Sequence, residues 1–320
     1  MKINIIKFGG DALSTITNQL KVANIIKSLN DKTIVIVSAM GRAGFPYSTD
    51  NLKALIEDKY ITPKEKARLI SLGEIISSVR LSYILNKEGI NAYALSLNEL
   101  NFICDGDYLN GDIENQDVFK LNELLNKYSC LICPGFSGLN KELETITFGR
   151  NSSDYTCACI AKYLGINEIT LFKNVDGVYH TPPVVYKKSY PYRYLSYDQM
   201  LALCEINFNI VMKKAIIVCK ENNITIKVKS YDDLNLEGTI ISSKESNDLI
   251  LGYNILDREV KIATFYPCKV KELLNKSFSK HHIFVTDEII INNTYSFTIS
   301  KSVSNLIKKL INDSILENKV

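Results

Sequence analysis

The sequence lacks a strong excess of charge of either sign. It carries 38 basic and 35 acidic residues, which gives a formal net charge of +3. A nucleic-acid-binding protein normally carries a strongly basic face, so this balance gives no support for a nucleic-acid partner. No apolar run approaches the roughly 20 residues that cross a bilayer, so we expect no membrane role. The opening MKINIIKFGG is interrupted too soon for a signal peptide, and we expect a cytoplasmic protein.

The sequence also lacks a metal-ligand pattern. Histidine is scarce, with three residues among 320, and the eight cysteines are scattered. Cys130 and Cys133 form a CxxC pair, but the pair lies inside an apolar run that is typical of a buried strand. No second pair follows, so we predict no metal site held by side chains. Without a secretion signal, the cysteines are expected to be reduced thiols in the core.

The sequence does contain an alternation of short apolar runs with longer amphipathic stretches. The predicted strands are 3–8, 33–38, 92–95, 129–133 and 169–172, and the predicted helices are 18–29, 63–85 and 155–164. Strands and helices in turn predict an α/β sandwich with a mainly parallel sheet. In such a fold ligands bind beyond the carboxyl ends of the strands, where the polar and glycine-bearing segments of this sequence fall.

The pattern changes after the polar stretch 242–248, which is typical of a linker. Beyond it, strands are predicted at 259–265, 288–291 and 296–299, and helices at 269–278 and 303–316. This pattern predicts a small α+β unit of about seventy residues, a size suited to a ligand-binding or dimerisation module. We therefore expect two domains, residues 1–245 and residues 246–320.

Two glycines and a lysine follow the first strand. Gly9 and Gly10 would let the backbone approach a polyphosphate, with their amides bound to its oxygens, and Lys7 would stabilise the charge that develops during phosphoryl transfer. Taken alone, the segment 7–10 fits a plain strand-to-helix turn better. It matches neither the P-loop spacing nor the dinucleotide-binding spacing, so those two classes lose support.

Three further polar residues follow strands or interrupt a helix. Ser38 ends the second strand, and Thr49 closes a loop where it could bind a ligand or cap the next helix. Glu74 follows Gly73 inside the helix 63–85. A glycine inside a helix costs about 1 kcal/mol of stability relative to alanine, so we expect Gly73 to be required by a close approach at this point. Glu74 would suit a substrate ammonium group, although a solvated helix glutamate is the commoner outcome.

The segment 147–156 is the most informative. Small polar residues lead into a helix whose amides could bind an anion. Arg150 can hold a carboxylate in a bidentate fork, and Asp154 can orient a lysine or contact a metal-bound nucleotide. A later segment, 173–179, places Asp176 and Gly177 in a tight turn after a strand, where a nucleotide could bind.

In order and spacing, these segments resemble the aspartate kinase branch of the amino acid kinase family over roughly residues 1–245. The matching motifs are KFGG (7–10), VSAMGR (37–42), STD (48–50), SLGEIISS (71–78), PGFSG (134–138), TFGRNSSDYT (147–156) and KNVDGVY (173–179). The resemblance implies the amino acid kinase fold and the phosphorylation of L-aspartate to 4-phospho-L-aspartate by ATP with Mg²⁺, the first step toward lysine, threonine and methionine. The implied chemistry is direct in-line attack of the side-chain carboxylate on the γ-phosphorus, with Mg²⁺ bridging the phosphates.

The resemblance also implies roles for single residues. The catalytic residues are Lys7 and Asp154. The substrate-binding residues are Ser38, Thr49, Glu74, Arg150 and Ser153. The nucleotide-binding residues are Lys7, Gly9, Gly10, Lys173, Asp176, Gly177 and Tyr179.

The chain departs from the family pattern mainly on the nucleotide side. Asp11 and Ala12 replace a Thr-Ser pair, and a carboxylate beside a polyphosphate is unfavourable unless it faces away or meets magnesium. Val184 stands where an arginine is expected, and Asn209 where a lysine is expected, with Lys213 and Lys214 one helical turn further on. Asn151-Ser152 replaces a glycine pair.

The tail is shorter than the resemblance predicts. Residues 250–265 resemble the entry to the ACT regulatory modules of aspartate kinases, which normally come in pairs, and this chain has room for one. An unpaired sheet edge in such a module would favour pairing with a second subunit, so we expect a homodimer. Two alternatives stay open: a sibling kinase that acts on another amino acid, and a catalytically weak subunit that binds aspartate or nucleotide.

Overall fold

The computed structural model describes residues 2–318. The strands in chain order are β1 (Ile3–Phe8), β2 (Lys32–Val37), β3 (Ala92–Ala94), β4 (Phe102–Asp105), β5 (Asp112–Gln116), β6 (Cys130–Pro134), β7 (Ser137–Leu139), β8 (Thr145–Thr147), β9 (Glu168–Lys173), β10 (Tyr194–Ser196), β11 (Thr225–Ser230), β12 (Thr239–Ser242), β13 (Gly252–Leu256), β14 (Glu259–Ala263), β15 (Thr286–Ile291) and β16 (Thr294–Thr298).

The helices in chain order are α1 (Ile16–Ser28), α2 (Thr49–Lys53), α3 (Pro63–Lys87), α4 (Leu97–Leu100), α5 (Phe119–Lys127), α6 (Ser153–Leu164), α7 (Tyr197–Glu205), α8 (Lys213–Glu221), α9 (Pro267–Lys280) and α10 (Ser304–Glu317). The long helix α3 begins at a capping box, in which Thr62 and Glu65 satisfy each other's backbone amides and a proline occupies the first helical position. In the described part of the chain, no helix is long and apolar enough to cross a membrane.

The chain forms two compact units. The first comprises the chain up to Asp176 together with Lys214–Glu237, and the second comprises Gly177–Lys213 and the chain from Gly238 onward. These two units are defined by contacts within the fold. The boundary expected at residue 245 is a different kind of division, between a catalytic and a regulatory region. The two expected domains therefore stay a prediction.

A parallel sheet forms the centre of the first unit. Its strands lie in the order β3, β6, β2, β1, β9 and β11, and each neighbouring pair is parallel. The β-branched run of β2 is fully buried from Ile34 to Val37, as expected for a strand covered on both faces. In register, Phe8 lies beside both Val37 and Phe172, so β1, β2 and β9 end together. The segments that follow these three strands therefore meet at one edge.

Helices cover both faces of this sheet. Phe8, Val37 and their alternate neighbours pack with α1 and α3 in one apolar cluster. Because side chains alternate along a strand, Lys7 and Ile36 point to the opposite face, where α6 contacts β1, β2 and β9. The predicted three-layer α/β architecture with a mainly parallel sheet is confirmed. A smaller mixed sheet with the order β5, β4, β7 and β8 completes the first unit.

The second unit contains the parallel pair β10 and β12 and an antiparallel sheet with the order β13, β14, β16 and β15. Helices α9 and α10 bury their apolar faces against this antiparallel sheet. Strand β15 pairs with β16 and lies at the end of the sheet, and all of its residues are exposed. The strands predicted at 259–265, 288–291 and 296–299 and the helices predicted at 269–278 and 303–316 are present, and β13 was not predicted.

Candidate active site

Two lysines converge on one buried carboxylate at the carboxyl end of the parallel sheet. Lys7 on β1 is 6% exposed, and its Nζ lies 2.9 Å from Asp154 Oδ1. Lys173 ends β9, and its Nζ lies 2.9 Å from Asp154 Oδ2 and 3.1 Å from Asp154 Oδ1. Asp154 is 1% exposed, in the first turn of α6. The structure thus brings together three of the predicted residues, and we call them the charge trio.

The two lysines keep Asp154 ionised despite its burial. Burial alone would raise the pKa of Asp154, but the charges of Lys173 and Lys7 outweigh it and lower that pKa to about 2. Burial lowers the pKa of Lys173 to about 8 against the opposing charge of Asp154, and the neighbouring Lys7 lowers it further. Two cations with one anion leave a net positive charge, which suits the stabilisation of a phosphoryl group in transfer.

Two serines lie next to the charge trio. Ser38 Oγ, directly after β2, lies 3.0 Å from Ser153 Oγ at the start of α6. Gly135, after β6, permits this approach, because a Cβ there would lie 2.7 Å from Ser153 Oγ and 2.9 Å from the carbonyl oxygen of Val37. Both predicted substrate-binding serines therefore face one point at the strand ends.

Glu74 is buried, and the commoner expectation of a solvated helix glutamate is wrong. The residue is 3% exposed, and its Oε1 accepts a hydrogen bond of 2.9 Å from the Ala39 amide. Its Oε2 has no hydrogen-bond partner among the described residues. Burial raises the pKa of Glu74 to about 8. A buried carboxylate oxygen without a donor is suited to accept hydrogen bonds from a ligand ammonium group.

The glycine before Glu74 has a packing reason. A Cβ at Gly73 would lie 2.7 Å from both the Ala39 Cβ and the Tyr47 carbonyl oxygen. The loop after β2 therefore lies directly on α3 at this position, which explains a glycine in the middle of a long helix. This contact also brings the Ala39 amide to Glu74.

The glycines after β1 differ in their surroundings. A Cβ at Gly10 would lie 2.4 Å from the Ala39 carbonyl oxygen, whereas a Cβ at Gly9 would meet only Lys7 Nζ at 3.9 Å. The Gly41 amide donates to the Gly10 carbonyl oxygen at 2.9 Å. Gly10 thus joins two strand-end loops, and Gly9 leaves space beside Lys7.

Arg150 is exposed, and Thr49 is half-buried. The side chain of Arg150 is 72% exposed, and its Nη2 lies 3.2 Å from Asp50 Oδ2. Thr49 is the first residue of α2, and Ser48 caps this helix by accepting a hydrogen bond from the Asn51 amide. The capping role considered for Thr49 therefore belongs to Ser48.

The remaining nucleotide-side predictions fall after β9. Asp176 ends the first unit, and Gly177 and Tyr179 belong to the second. A Cβ at Gly177 would lie 2.7 Å from Thr239 Oγ1, so a close approach requires this glycine. Tyr179 pairs with Pro191 in an isolated β-bridge.

The departures on the nucleotide side differ in their surroundings. Asp11 is bound by Arg42, a residue that the motif VSAMGR contains but to which sequence analysis gave no role. Lys213 pairs with Glu205 at 2.5 Å, and Lys214 pairs with Asp112 at 2.8 Å, so each nearby lysine is engaged by a carboxylate. Val184 is 95% exposed. Within residues 2–318, no group of three or more His, Cys, Asp or Glu side chains is arranged to hold a metal ion.

Comparisons with known proteins identify the family of this chain. A model of the amino acid kinase family matches residues 2–230. Aspartokinase 1 of Bacillus subtilis is 29% identical over 263 residues, which cover 81% of this chain and 64% of that protein. The aspartokinase of Helicobacter pylori is 29% identical over 245 residues, which cover 75% of this chain and 59% of that protein. The chain thus spans about three-fifths of the length of these relatives.

A solved structure shows the same fold. The crystal structure of E. coli aspartokinase III in complex with aspartate and ADP (R-state) matches with a TM-score of 0.69 at 18% identity, covering 98% of this chain and 83% of that chain. The resemblance to aspartate kinases drawn from the motifs is confirmed by these relatives. Because the family model matches most of the sequence, the chain belongs to the amino acid kinase family.

Proposed function

We propose that this chain is an aspartate kinase, which transfers the γ-phosphoryl group of ATP to the side-chain carboxylate of L-aspartate. The observation that supports the proposal most strongly is the charge trio of Lys7, Asp154 and Lys173, with contacts of 2.9 Å at both lysines. Lysines fixed beside a transferring phosphoryl group stabilise its transition state without reorganisation during the reaction. The product, 4-phospho-L-aspartate, would enter the route to lysine, threonine and methionine.

The substrate residues would bind the two ends of the amino acid. Glu74 would accept the α-ammonium group at its free Oε2, and Arg150 would bind the α-carboxylate in its fork. Ser38 and Ser153 would hold the side-chain carboxylate near the charge trio, and Thr49 would add a further contact to the substrate. The attacking carboxylate is already ionised near neutral pH, so the reaction requires no protein base.

The nucleotide would bind along the strand-end loops. The amides of Gly9 and Gly10 would face its phosphates, and Lys173 and Asp176 would form the nucleotide side within the first unit. For Gly177 and Tyr179, a nucleotide-binding role is what the resemblance implies. Magnesium would neutralise the phosphates of the bound nucleotide. Asp154 is engaged by two lysines, and residues 2–318 contain no cluster of three or more potential metal ligands, so we propose that the ion arrives with the nucleotide.

We also propose that the antiparallel sheet of the second unit is an ACT-like module through which the chain forms a homodimer. Strand β15 offers an exposed edge with apolar side chains, among them Ile289, Ile290 and Ile291, at 41–63% exposure. An edge of this kind is a template for pairing with another chain. Light scattering at micromolar concentration tests the proposal, and a monomer would refute it.

Hydroxamate formation tests the activity itself. Purified protein is incubated with Mg-ATP, hydroxylamine and, in turn, aspartate, glutamate and their analogues. Aspartate-dependent hydroxamate is the expected result, because hydroxylamine traps an acyl phosphate. Turnover with a different acid would make the chain a sibling kinase. Aspartate binding without turnover of any acid would favour a regulatory or partner subunit.

A further inference from the structure

Asp11 places a carboxylate directly after the glycines that would face a polyphosphate. Consecutive Cα atoms are about 3.8 Å apart, so a negative charge here lies within one residue of Gly10. A negative charge that comes within about 4 Å of a phosphate is repelled by about 1 kcal/mol even in bulk water, and by more near a protein surface. The family pattern that the motifs resemble has a Thr-Ser pair at this position, so this chain introduces a charge that the pattern lacks.

Arg42 binds this carboxylate through its guanidinium group. Its Nε lies 2.8 Å from both Asp11 Oδ1 and Asp11 Oδ2, and its Nη2 donates to Asp11 Oδ2. Asn174, after β9, adds a weaker contact from its Nδ2 to Asp11 Oδ2 at 3.5 Å. Three strand-end loops thus contribute to one small polar cluster at the ligand-binding edge of the sheet.

The Asp11–Arg42 pair contributes little packing. The side chain of Arg42 is 71% exposed and that of Asp11 is 30% exposed. Exposed ion pairs add only about 0–1 kcal/mol to stability, so this pair is poorly suited to hold the fold together. The loops are joined in any case by the backbone hydrogen bond from Gly41 to Gly10. The effect that distinguishes this pair is electrostatic.

We propose that Arg42 is a positioning residue of the nucleotide site, whose guanidinium neutralises Asp11 so that the Gly9–Gly10 loop accepts the polyphosphate of a nucleoside triphosphate. The inference rests on the proposed kinase function. It gives Arg42 the task of compensating a charge that the chain itself introduces. Nucleotide affinity would then depend on the combined charge of residues 11 and 42 rather than on either residue alone.

A double-mutant cycle in the hydroxamate assay tests this inference. Arg42→Ala leaves Asp11 uncompensated and should raise the KM for ATP about tenfold, equivalent to 1.4 kcal/mol, with kcat and the KM for aspartate within about twofold of wild type. Asp11→Ala leaves the charge of Arg42 uncompensated and should lower the KM for ATP, by less than about threefold because Arg42 is exposed. The double variant Asp11→Ala/Arg42→Ala should return to within about threefold of wild type, because it removes both charges. Arg42→Lys keeps the charge and should resemble wild type.

A structural tie between the loops would give a different pattern. In that case Asp11→Ala, Arg42→Ala and the double variant would all raise the KM for ATP alike, and Arg42→Lys would not rescue it. That result, or an unchanged KM for ATP in Arg42→Ala, would overturn the inference. Lys127→Ala is the matched control, because Lys127 forms an equally exposed pair with Glu123 at 2.7 Å on α5. Its kinetic constants should not change.

The outcome is separable from that of the proposed function. If wild type forms no hydroxamate with any acid, the kinase proposal fails, and calorimetric titration of the same variants with Mg-ATP takes over the test of Arg42. The tenfold loss in Arg42→Ala and its recovery in the double variant are then expected in the Kd. Wild type that binds no ATP would overturn the inference as well.

Discussion

The charge trio and the Arg150–Asp50 pair lie in the same unit and differ in burial. The trio places Lys7 and Asp154 at 6% and 1% exposure, whereas the side chains of Arg150 and Asp50 are 72% and 37% exposed. A buried pair is screened little by salt and keeps its geometry, while an exposed pair is screened and can open at small cost. The charge trio is therefore preorganised, whereas the Arg150–Asp50 pair can rearrange.

This difference assigns separate tasks to the two regions. Electrostatic stabilisation of a transition state requires charges that are already in place, which is the condition of the charge trio. A group that binds and releases a substrate must exchange its partners, which is the condition of Arg150. From sequence, the substrate side matched the family pattern better than the nucleotide side. In the structure, the charges that we propose for phosphoryl transfer are the better buried ones.

Lys7→Ala should produce the largest effect, because it removes one of the preorganised charges. We expect kcat to fall by a hundredfold or more, as for the loss of a group that acts in the transition state, with aspartate binding largely retained. Hydroxamate kinetics and aspartate titration measure the two quantities. Asp154 keeps Lys173 as a partner at 2.9 Å, so the variant should stay folded, which a thermal melt checks. Full activity in a folded variant would remove Lys7 from the mechanism.

The next largest effect concerns Glu74, which should make the free energy of unfolding depend on pH. Its pKa is raised by burial from 4.5 to about 8, so the folded state binds more protons than the unfolded state between these values. The contribution of Glu74 to stability is complete below pH 4.5 and is lost as pH rises through 8. We expect a loss of about 2 kcal/mol between pH 6 and pH 8, measured by denaturant unfolding. Glu74→Gln should lack this slope, and an equal slope in that variant would contradict the assignment.

The same carboxyl group links the pH effect to the substrate. If Glu74 pairs with the α-ammonium group, aspartate binding near pH 7 must ionise it and release a proton. Calorimetric titration with aspartate in buffers of different ionisation enthalpy measures that release. We expect close to one proton per site for wild type and none for Glu74→Gln. Binding without proton release would place the ammonium group elsewhere.

Local pattern was sufficient for the main architecture. The β-branched run of β2 predicted a strand covered on both faces, and Ile34 to Val37 are fully buried. Alternation of strands and helices placed the motifs at the strand ends, where register brings β1, β2 and β9 level. The small mixed sheet of β4, β5, β7 and β8 was not predicted. Its strands are three to five residues long and pair across loops, so they carry little periodicity of their own.

The site was predictable where a residue follows its own strand, and less so where distant segments meet. The pattern placed Lys7 near the end of β1 and Asp154 at the start of α6, whereas Lys173 was given its role only by the resemblance. The burial of Glu74 depends on the loop after β2 packing on α3, which no local window contains. The pairing of Asp11 with Arg42 joins residues 31 apart, and sequence analysis saw only an unfavourable carboxylate.

Arg150→Ala should give a smaller effect than Lys7→Ala, and in a different constant. We expect the KM for aspartate to rise about tenfold while kcat changes less, because an exposed side chain contributes mainly to substrate binding. The KM for ATP serves as the internal control and should stay near its wild-type value. A selective fall of kcat with unchanged KM for aspartate would assign Arg150 to the transition state and remove the contrast with the charge trio.

Asp50→Asn should give the smallest effect, and whether the KM for aspartate falls or rises is informative. Asp50 Oδ2 lies 3.2 Å from Arg150 Nη2 and competes with a substrate carboxylate for the same fork. Removing this charge should lower the KM for aspartate by about twofold to threefold, since an exposed pair stores less than about 1 kcal/mol. In an Arg150→Ala background the substitution should have no effect. A rise in the KM for aspartate would mean that Asp50 orients Arg150 for the substrate, and the exposed pair would then be preorganised like the buried one.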